Sequence, residues 1–177
     1  MNAGSPEHAR PQAIAIAEGW RPGAIGRVVE LLATYHARHW GLGAYFEAKV
    51  AHELAEFIAR YDRNHDRLFL ALDGERVIGA IAIDGSDATA ASEGVRVRWF
   101  ILDEAWHGRG IGKRLLDAAM AFLAERRCAR CYLTTFAGLD AARALYERAG
   151  FRLVGETAAA SWGPRLTEQR FEWQRAR

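Results

Sequence analysis

Residues 102–116 read LDEAWHGRGIGKRLL. This glycine-dense stretch is the most informative for the fold, because a strand pattern precedes it and a helix pattern follows it. The run before it, VRVRWFIL at 95–102, is rich in β-branched and aromatic residues and predicts the strongest strand of the chain. After it, apolar residues recur on one helical face at Leu115, Ala118, Ala119 and Phe122. The stretch therefore predicts a strand, a glycine loop and a helix in succession.

The loop has the composition of an anion site. Gly108, Gly110 and Gly112 carry no side chains, so a ligand can approach the backbone closely. N–H groups at the start of the following helix lack helical partners and favour negative charge. Lys113 and Arg114 add positive charge beside them. The loop therefore predicts a phosphate or pyrophosphate site, and a tight strand–helix turn without a ligand is the alternative.

Two common phosphate motifs do not fit these residues. A P-loop has the pattern G-x-x-x-x-G-K-[ST], but His107 replaces its first Gly and Arg114 replaces the hydroxyl residue that holds magnesium. A dinucleotide fingerprint has the pattern G-x-G-x-x-G, but counting from Gly108 places Lys113 at the third Gly. A nucleotide-phosphate enzyme is therefore disfavoured.

Hydrophobic periodicity along the rest of the chain predicts an α/β fold, a mixed sheet with helices on its faces. The expected order is strand, two helices, three strands, helix, strand, helix and two strands. Strands are expected at 13–17, 68–72, 77–83, 95–102, 131–136, 151–154 and 168–173. Helices are expected from Pro22 onward, at 44–60, after the glycine loop and at 140–150, whereas residues 85–94 predict a loop.

Length and charge limit the functional classes. The 177 residues suit one domain, with residues 1–11 expected as a flexible N-terminal segment and 12–177 as the domain. The 24 basic and 22 acidic residues leave a formal charge of +2, which does not suggest nucleic-acid binding. No apolar run approaches the ~20 residues that cross a bilayer, and the polar N-terminus lacks a signal-peptide pattern. A cytoplasmic protein without a membrane partner is therefore expected.

The two cysteines, Cys128 and Cys131, form a C-x-x-C pair. A redox pair needs this motif at a helix N-terminus, where the dipole lowers a thiol pKa. Here the first cysteine lies at the end of a helical pattern and the second begins an apolar run. A zinc site would need two more ligands at suitable spacing, and none is evident. We therefore expect two reduced, buried thiols and no metal.

The glycine loop resembles the coenzyme A loop of the GNAT acetyltransferase superfamily, written [QR]-x-x-G-x-[GA], with His107, Gly110 and Gly112 at the three positions. A second stretch, LDAARALYERAGF at 139–151, resembles the family signature N-x-x-A-x-x-L-Y-x-x-x-G-F, with Leu139 in place of Asn. The resemblance covers most of the chain. It is strongest to the acetyltransferase domain fused to MarR-type regulators, and because few residues precede Ile14 we expect no DNA-binding half.

The resemblance implies a GNAT-like fold, in which helices flank a central, mixed and mostly antiparallel sheet. It implies an N-acetyltransferase that moves the acetyl group of acetyl-CoA onto an amine of a small molecule or protein, and a homodimer is compatible with it. The backbone amides of 107–112 would hold the pyrophosphate, and Tyr146 would be the catalytic acid that protonates the departing thiolate. The implied cofactor-binding residues are Phe100, Ile101, Leu102, His107, Gly108, Arg109, Gly110, Ile111, Gly112 and Lys113.

Neither the residues nor the resemblance identifies the acceptor or the general base. By residue type alone, and with a water chain equally open, the candidate bases are Glu93, Glu104, His36 and His39. Arg96 and Arg98 alternate on the central strand and are expected on the same face as Phe100 and Leu102. They either bind a substrate carboxylate or are solvated or paired. A non-catalytic acyl-CoA-binding or sensing module is the alternative function, and it would not need Tyr146.

Overall fold

The computed structural model of the protein describes residues 13–175, so the N-terminal segment predicted at 1–11 lies outside the described residues. The strands are β1 (Ala15–Glu18), β2 (Arg67–Asp73), β3 (Arg76–Asp84), β4 (Val95–Leu102), β5 (Arg130–Phe136), β6 (Arg152–Ala159) and β7 (Leu166–Gln174). The helices are α1 (Ala24–Trp40), α2 (Ala44–Ala59), α3 (Ala90–Glu93), α4 (Ile111–Glu125) and α5 (Asp140–Arg148), with a 3-10 turn at Glu104–Trp106.

The predicted fold class and element order are confirmed. Two short elements were not predicted: the 3-10 turn at Glu104–Trp106, and the single helical turn α3 in the segment 85–94, which was expected as a loop. The side chain of Asp87 accepts a hydrogen bond from the backbone N–H of Thr89 at 2.8 Å and starts this turn. So short a helix has no apolar stripe, which explains why periodicity does not find it.

The seven strands form one sheet in the order β1-β2-β3-β4-β5-β7-β6. All neighbouring strands are antiparallel except β4 and β5, which run parallel. These two strands pair only where Val95 and Arg96 face Cys131 and Tyr132. Beyond that point the two strands no longer pair with each other, although β4 still pairs with β3 and β5 with β7. They separate and leave a wedge-shaped opening in the middle of the sheet.

A β-bulge in β4 lies beside this opening. Ala82 pairs with Arg98 and Ala80 pairs with Ile101, so Trp99 and Phe100 together face one residue of β3. Trp99 has φ 47°, in the left-handed region that a bulky side chain rarely adopts. An extra residue in a strand reverses which side chains point to which face of the sheet.

Helices cover both faces of the sheet. The face under α1 and α2 has its own core, which includes Phe57, Leu70, Trp99 and Ile101. The opposite face lies under α4 and α5, and its core includes Ile81, Val97, Leu115 and Phe171. The wedge between β4 and β5 is therefore enclosed by helices on both sides.

Gly94 connects α3 to β4 in a conformation that other residues avoid. Its φ is 96° and its ψ is 177°. A Cβ atom at this position would lie 2.8 Å from Cγ and 2.9 Å from the backbone oxygen of Arg130 at the start of β5. Gly94 thus allows β4 and β5 to approach each other at the one place where they pair.

We expect Gly94→Ala to lower the free energy of unfolding by about 1–3 kcal/mol, because it adds both backbone strain and a steric clash. Gly26→Ala is the matched control, since Gly26 lies inside α1 with nothing within 4 Å of its added Cβ. That change should raise stability by about 0.5–1 kcal/mol. Urea denaturation measures both effects, and a Gly94→Ala protein as stable as the parent would contradict this account.

Candidate active site

Two connected cavities occupy the opening between β4 and β5. The first, here called the glycine-loop cleft, has about 1410 Å³ of empty space open to solvent, between the glycine loop and the start of α5. The second, here called the inner pocket, has about 810 Å³ and extends between β4, β5, α1 and α2. The residues that line both cavities, and so mark their junction, are Tyr35, Phe100, Ile101, Leu139 and Ala142.

The backbone of the glycine loop leaves a row of N–H groups available. Gly108 and Gly110 have φ 73° and 75°, and Gly110 caps the N-terminus of α4. Within residues 13–175, no N–H from Gly108 to Lys113 donates to a protein acceptor, whereas the N–H of His107 donates to the oxygen of Glu104 at 3.1 Å. The free amides therefore run over 108–113, one residue further along than the 107–112 implied by the resemblance.

Of the ten implied cofactor-binding residues, all but Arg109 line the glycine-loop cleft. The guanidinium of Arg109 lies over the ring of Trp106 at 4.8 Å instead. The His107 side chain lies at the end of β4, where its Nε2 donates to the backbone oxygen of Leu102 at 3.0 Å. His107 thereby ties the loop to the strand that precedes it.

The far wall of the cleft comes from α5 and the turn before it. Its residues are Gly138, Leu139, Asp140, Ala141, Ala142, Leu145 and Arg148. A Cβ on Gly112 would lie 3.4 Å from Cδ1 of Leu145, so this glycine lets α4 approach α5 closely. Arg148 was not predicted as a site residue. The only sequence signal for it was its position at the basic end of the second motif.

Tyr146 lies on α5 and lines the inner pocket. Its side chain is only 5% exposed and packs among the rings of Phe100, Phe151 and Phe171, with centroids at 5.8, 6.1 and 5.8 Å. Burial raises the pKa of the Tyr146 phenol above its usual value, because the phenolate would be poorly solvated. The phenol therefore keeps its proton at neutral pH.

One of the four candidate bases, His36, lines the inner pocket. Its Nδ1–H donates to the backbone oxygen of Leu32 at 2.8 Å, which leaves the lone pair on Nε2. Burial lowers the pKa of His36, so the ring is neutral at pH 7. His36 is therefore the candidate with both the position and the protonation state of a base.

The other three candidates are engaged elsewhere. Glu104 receives hydrogen bonds from His39, at 2.8 Å, and from Arg38. The bond from His39 is the main cause of the lowered pKa of Glu104. Glu93 forms an ion pair with Arg170 at 2.6 Å.

The prediction that Arg96 and Arg98 share a face with Phe100 and Leu102 is wrong. Phe100 and Leu102 pack with the core under α4, whereas both arginines line the inner pocket on the face of α1 and α2. The bulge at Trp99 is the physical reason, since it adds one residue between the two pairs.

The two arginines have different partners. Arg98 donates to the carboxylate of Asp84 at 3.0 Å, pairs with Glu53 on α2 and lies over the ring of Trp99 at 4.1 Å. Arg96 donates from Nη2 to the hydroxyl of Thr134 at 3.1 Å. Glu53 was missed by sequence reasoning because one acidic residue on a helix gives no signal of its own.

Metal and redox chemistry find no support among residues 13–175. No group of three or more His, Cys, Asp or Glu side chains in that range could hold a metal ion. Both thiols are free, and Cys131 is buried as expected, whereas Cys128 is only half-buried because it lies at the surface end of the turn before β5. Burial raises the pKa of both thiols, which is opposite to what a reactive thiol needs. No helix in this part of the chain is long and apolar enough to span a membrane.

Comparison with known proteins gives relatives in sequence and in fold. Spermine/spermidine N(1)-acetyltransferase of Bacillus subtilis (strain 168) is 43% identical over 58 residues, which are 32% of this chain and 38% of that protein. The match thus spans well under half the length of this curated relative. An acetyltransferase from Streptococcus agalactiae 2603 superposes with TM-score 0.70 at 19% identity, covering 92% of this chain and 99% of the other.

The yncA protein of Salmonella typhimurium, solved with its cofactor acetyl-CoA, superposes with TM-score 0.71 at 15% identity and covers 92% of this chain and 94% of the other. At such identities the two structures show a shared fold. The profile of the acetyltransferase (GNAT) family matches residues 34–151, more than half of the chain, and this range contains the glycine loop, Tyr146 and most of both cavities. On this match, the chain belongs to the acetyltransferase (GNAT) family.

Proposed function

We propose that this protein transfers the acetyl group of acetyl-CoA to an amine by direct attack. The observation that carries the proposal is the row of free N–H groups at 108–113, which opens into a cleft continuous with a pocket that contains a buried, protonated tyrosine. The free amides offer a place for a diphosphate, the cleft offers a place for an extended chain, and the pocket with Tyr146 offers a place for the transfer reaction.

The residues present fit acetyl-CoA. Free amides at a helix N-terminus favour the diphosphate, and Lys113 and Arg148 add positive charge along the same cleft. Beyond Arg96, the edge of β4 that faces the wedge has no strand partner. An unpaired strand edge binds an extended amide-containing chain through backbone hydrogen bonds, and the pantetheine arm is such a chain.

Two buried groups would handle the protons. Attack by the amine forms a C–N bond, and collapse of the oxyanion breaks the C–S bond and leaves the electron pair on sulfur. His36 accepts, through the Nε2 lone pair, the proton that the ammonium group must lose before it attacks, and later releases this proton to solvent. Tyr146 donates its phenolic proton to the departing thiolate. The nitrogen of the tetrahedral intermediate loses a second proton, which offsets the proton that sulfur gains and returns Tyr146 to its neutral form through solvent. A backbone N–H near Leu102 stabilises the oxyanion.

A non-catalytic acyl-CoA-binding module is the alternative, and it would keep the glycine loop without needing Tyr146 or His36 in the pocket. The relationship to domains fused to MarR-type regulators and the homodimer stay predictions. The curated relative raises polyamines as one acceptor class. Release of free coenzyme A thiol in the presence of an amine panel separates a transferase from a binding module.

Gly110→Asp should abolish acetyl-CoA binding, because it places a carboxylate where the diphosphate would lie. Gly23→Asp is the matched control, since Gly23 also caps a helix N-terminus in the left-handed region, with φ 83° and nothing within 4 Å. Both changes add the same backbone strain, but Gly23 is outside both cavities. Calorimetry should show loss of binding in the first variant alone. Equal affinity of the two variants for acetyl-CoA would show that the glycine loop does not bind the diphosphate.

Tyr146→Phe should lower kcat by roughly 10- to 1000-fold with unchanged acetyl-CoA affinity, because the ring packing is kept and only the proton donor is lost. Tyr45→Phe serves as the control, since Tyr45 is 62% exposed and lines neither cavity. Steady-state kinetics on the best acceptor, with a binding titration, measure both effects. A Tyr146→Phe enzyme with the parental kcat would assign the proton to water.

A further inference from the structure

We propose that the acceptor is a primary amine that also carries a carboxylate, and that Arg96 binds this carboxylate in the inner pocket. The inference rests on the proposed function, since it names the substrate class of the same site. It is carried by one feature: the half-buried guanidinium of Arg96 lines the pocket, and no carboxylate of residues 13–175 forms an ion pair with it.

Arg96 lies at the closed end of the wedge, in the last residue pair before β4 and β5 separate. One of its nitrogens donates to Thr134 at 3.1 Å, and its guanidinium lies 5.9 Å from the centre of the Tyr132 ring. Within residues 13–175, no carboxylate oxygen comes within 4.0 Å of this guanidinium. A guanidinium has five N–H donors, so most of its hydrogen-bonding capacity is unused.

The carboxylates around Arg96 serve other groups. Glu53 pairs with Arg98 and also with Lys49, at 2.7 Å. Asp87 accepts two hydrogen bonds from Thr89, at 2.8 and 2.7 Å. Besides these hydrogen bonds, the charge of Arg96 helps to lower the pKa of Asp87, so the two groups attract each other, but neither Asp87 nor Glu53 forms an ion pair with Arg96.

The neighbouring Arg98 shows what a satisfied arginine looks like in this pocket. It has two carboxylate partners and an aromatic ring, and its side chain is 9% exposed. A partly buried cation without a counter-ion is costly, and an anionic ligand removes that cost. A planar carboxylate matches the fork of a guanidinium and binds it through two parallel hydrogen bonds.

The same charge disfavours polyamines. Of the side chains that line the inner pocket, Arg96 and Arg98 are cationic, and the carboxylate of Glu53 on α2 pairs with Arg98. A second ammonium group on the acceptor would meet like charge at Arg96. The aromatic walls formed by Phe46, Phe136 and Trp162 suit an apolar side chain. An apolar α-amino acid combines the three groups that the pocket accommodates: an amine to be acetylated, a carboxylate for Arg96 and an apolar side chain for the aromatic walls.

The test compares L-leucine with L-leucinamide, and adds spermidine, in a thiol-release assay with acetyl-CoA. The two leucine compounds differ in amine pKa, so each variant is compared with the parent enzyme on the same acceptor, and that difference cancels. Arg96→Gln should lower kcat/KM for leucine by about tenfold or more, mainly through KM, and should change kcat/KM for leucinamide by less than about twofold. Arg96→Lys should recover part of the loss.

Arg170→Gln is the matched control. Arg170 lies on the next strand pair of the sheet, is neutralised by Glu93 and Glu172, and does not line the inner pocket. It should leave the preference between leucine and leucinamide unchanged. A second measurement avoids variants altogether: 4-methylpentanoate, which is leucine without its amine, should inhibit the parent enzyme competitively against the acceptor, and 4-methylpentanamide should not.

The outcomes separate this inference from the proposed function. Equal losses on leucine and leucinamide in Arg96→Gln, or no loss on either, would overturn the carboxylate role. If the enzyme acetylated spermidine or leucinamide but not leucine, the carboxylate role of Arg96 would also be wrong, although the transferase function would stand. Binding of acetyl-CoA without thiol release for any amine would overturn both. Unchanged acetyl-CoA affinity in Arg96→Gln shows that a kinetic loss is not a loss of folding.

Discussion

The early end of the pairing between β4 and β5 is the constraint on which the rest of the structure depends. Two residue pairs join the strands, and beyond them each strand has one edge of backbone donors and acceptors without a strand partner. In nearly all proteins, backbone N–H and C=O groups form hydrogen bonds, and those without a partner in the chain bond to water or to a ligand. The left-handed backbone of Trp99 in the bulge costs conformational free energy of order 1–3 kcal/mol. The bulge lies in β4 beside the opening. Both cavities are consequences of this separation.

A buried ionic network holds the wall of the inner pocket in place. Asp84 at the end of β3 is fully buried and accepts from Arg60 at 2.6 Å and from Arg98 at 3.0 Å. Arg98 continues the network to Glu53 on α2. Removing one partner of such a group leaves an uncompensated buried charge, which typically costs about 3–5 kcal/mol. The network therefore fixes α2 against β4, and it does not include Arg96, two residues away on the same strand.

Local patterns in the sequence predicted the main helices and strands and the position of the glycine loop, because periodicity and glycine spacing act over a few residues. They failed where the structure depends on distant contacts. Strict alternation along β4 placed Arg96 with Phe100, and the bulge that separates them arises in the pairing with β3, beside Gly79, whose missing Cβ would lie 2.8 Å from the oxygen of Ile101. Arg148 and Glu53 became site residues only once α5 and α2 packed against the sheet.

Burial acts on the two proposed proton-transfer groups in opposite directions and leaves both uncharged. It raises the pKa of Tyr146, since a phenolate is poorly solvated there, and it lowers the pKa of His36, since an imidazolium is poorly solvated too. One neutral group holds a proton and the other holds a free lone pair at the same pH. Acetyl transfer from a thioester to an ammonium group removes two protons from nitrogen and supplies one to sulfur. In the proposed mechanism, burial in the same pocket therefore prepares a proton acceptor and a proton donor at one pH.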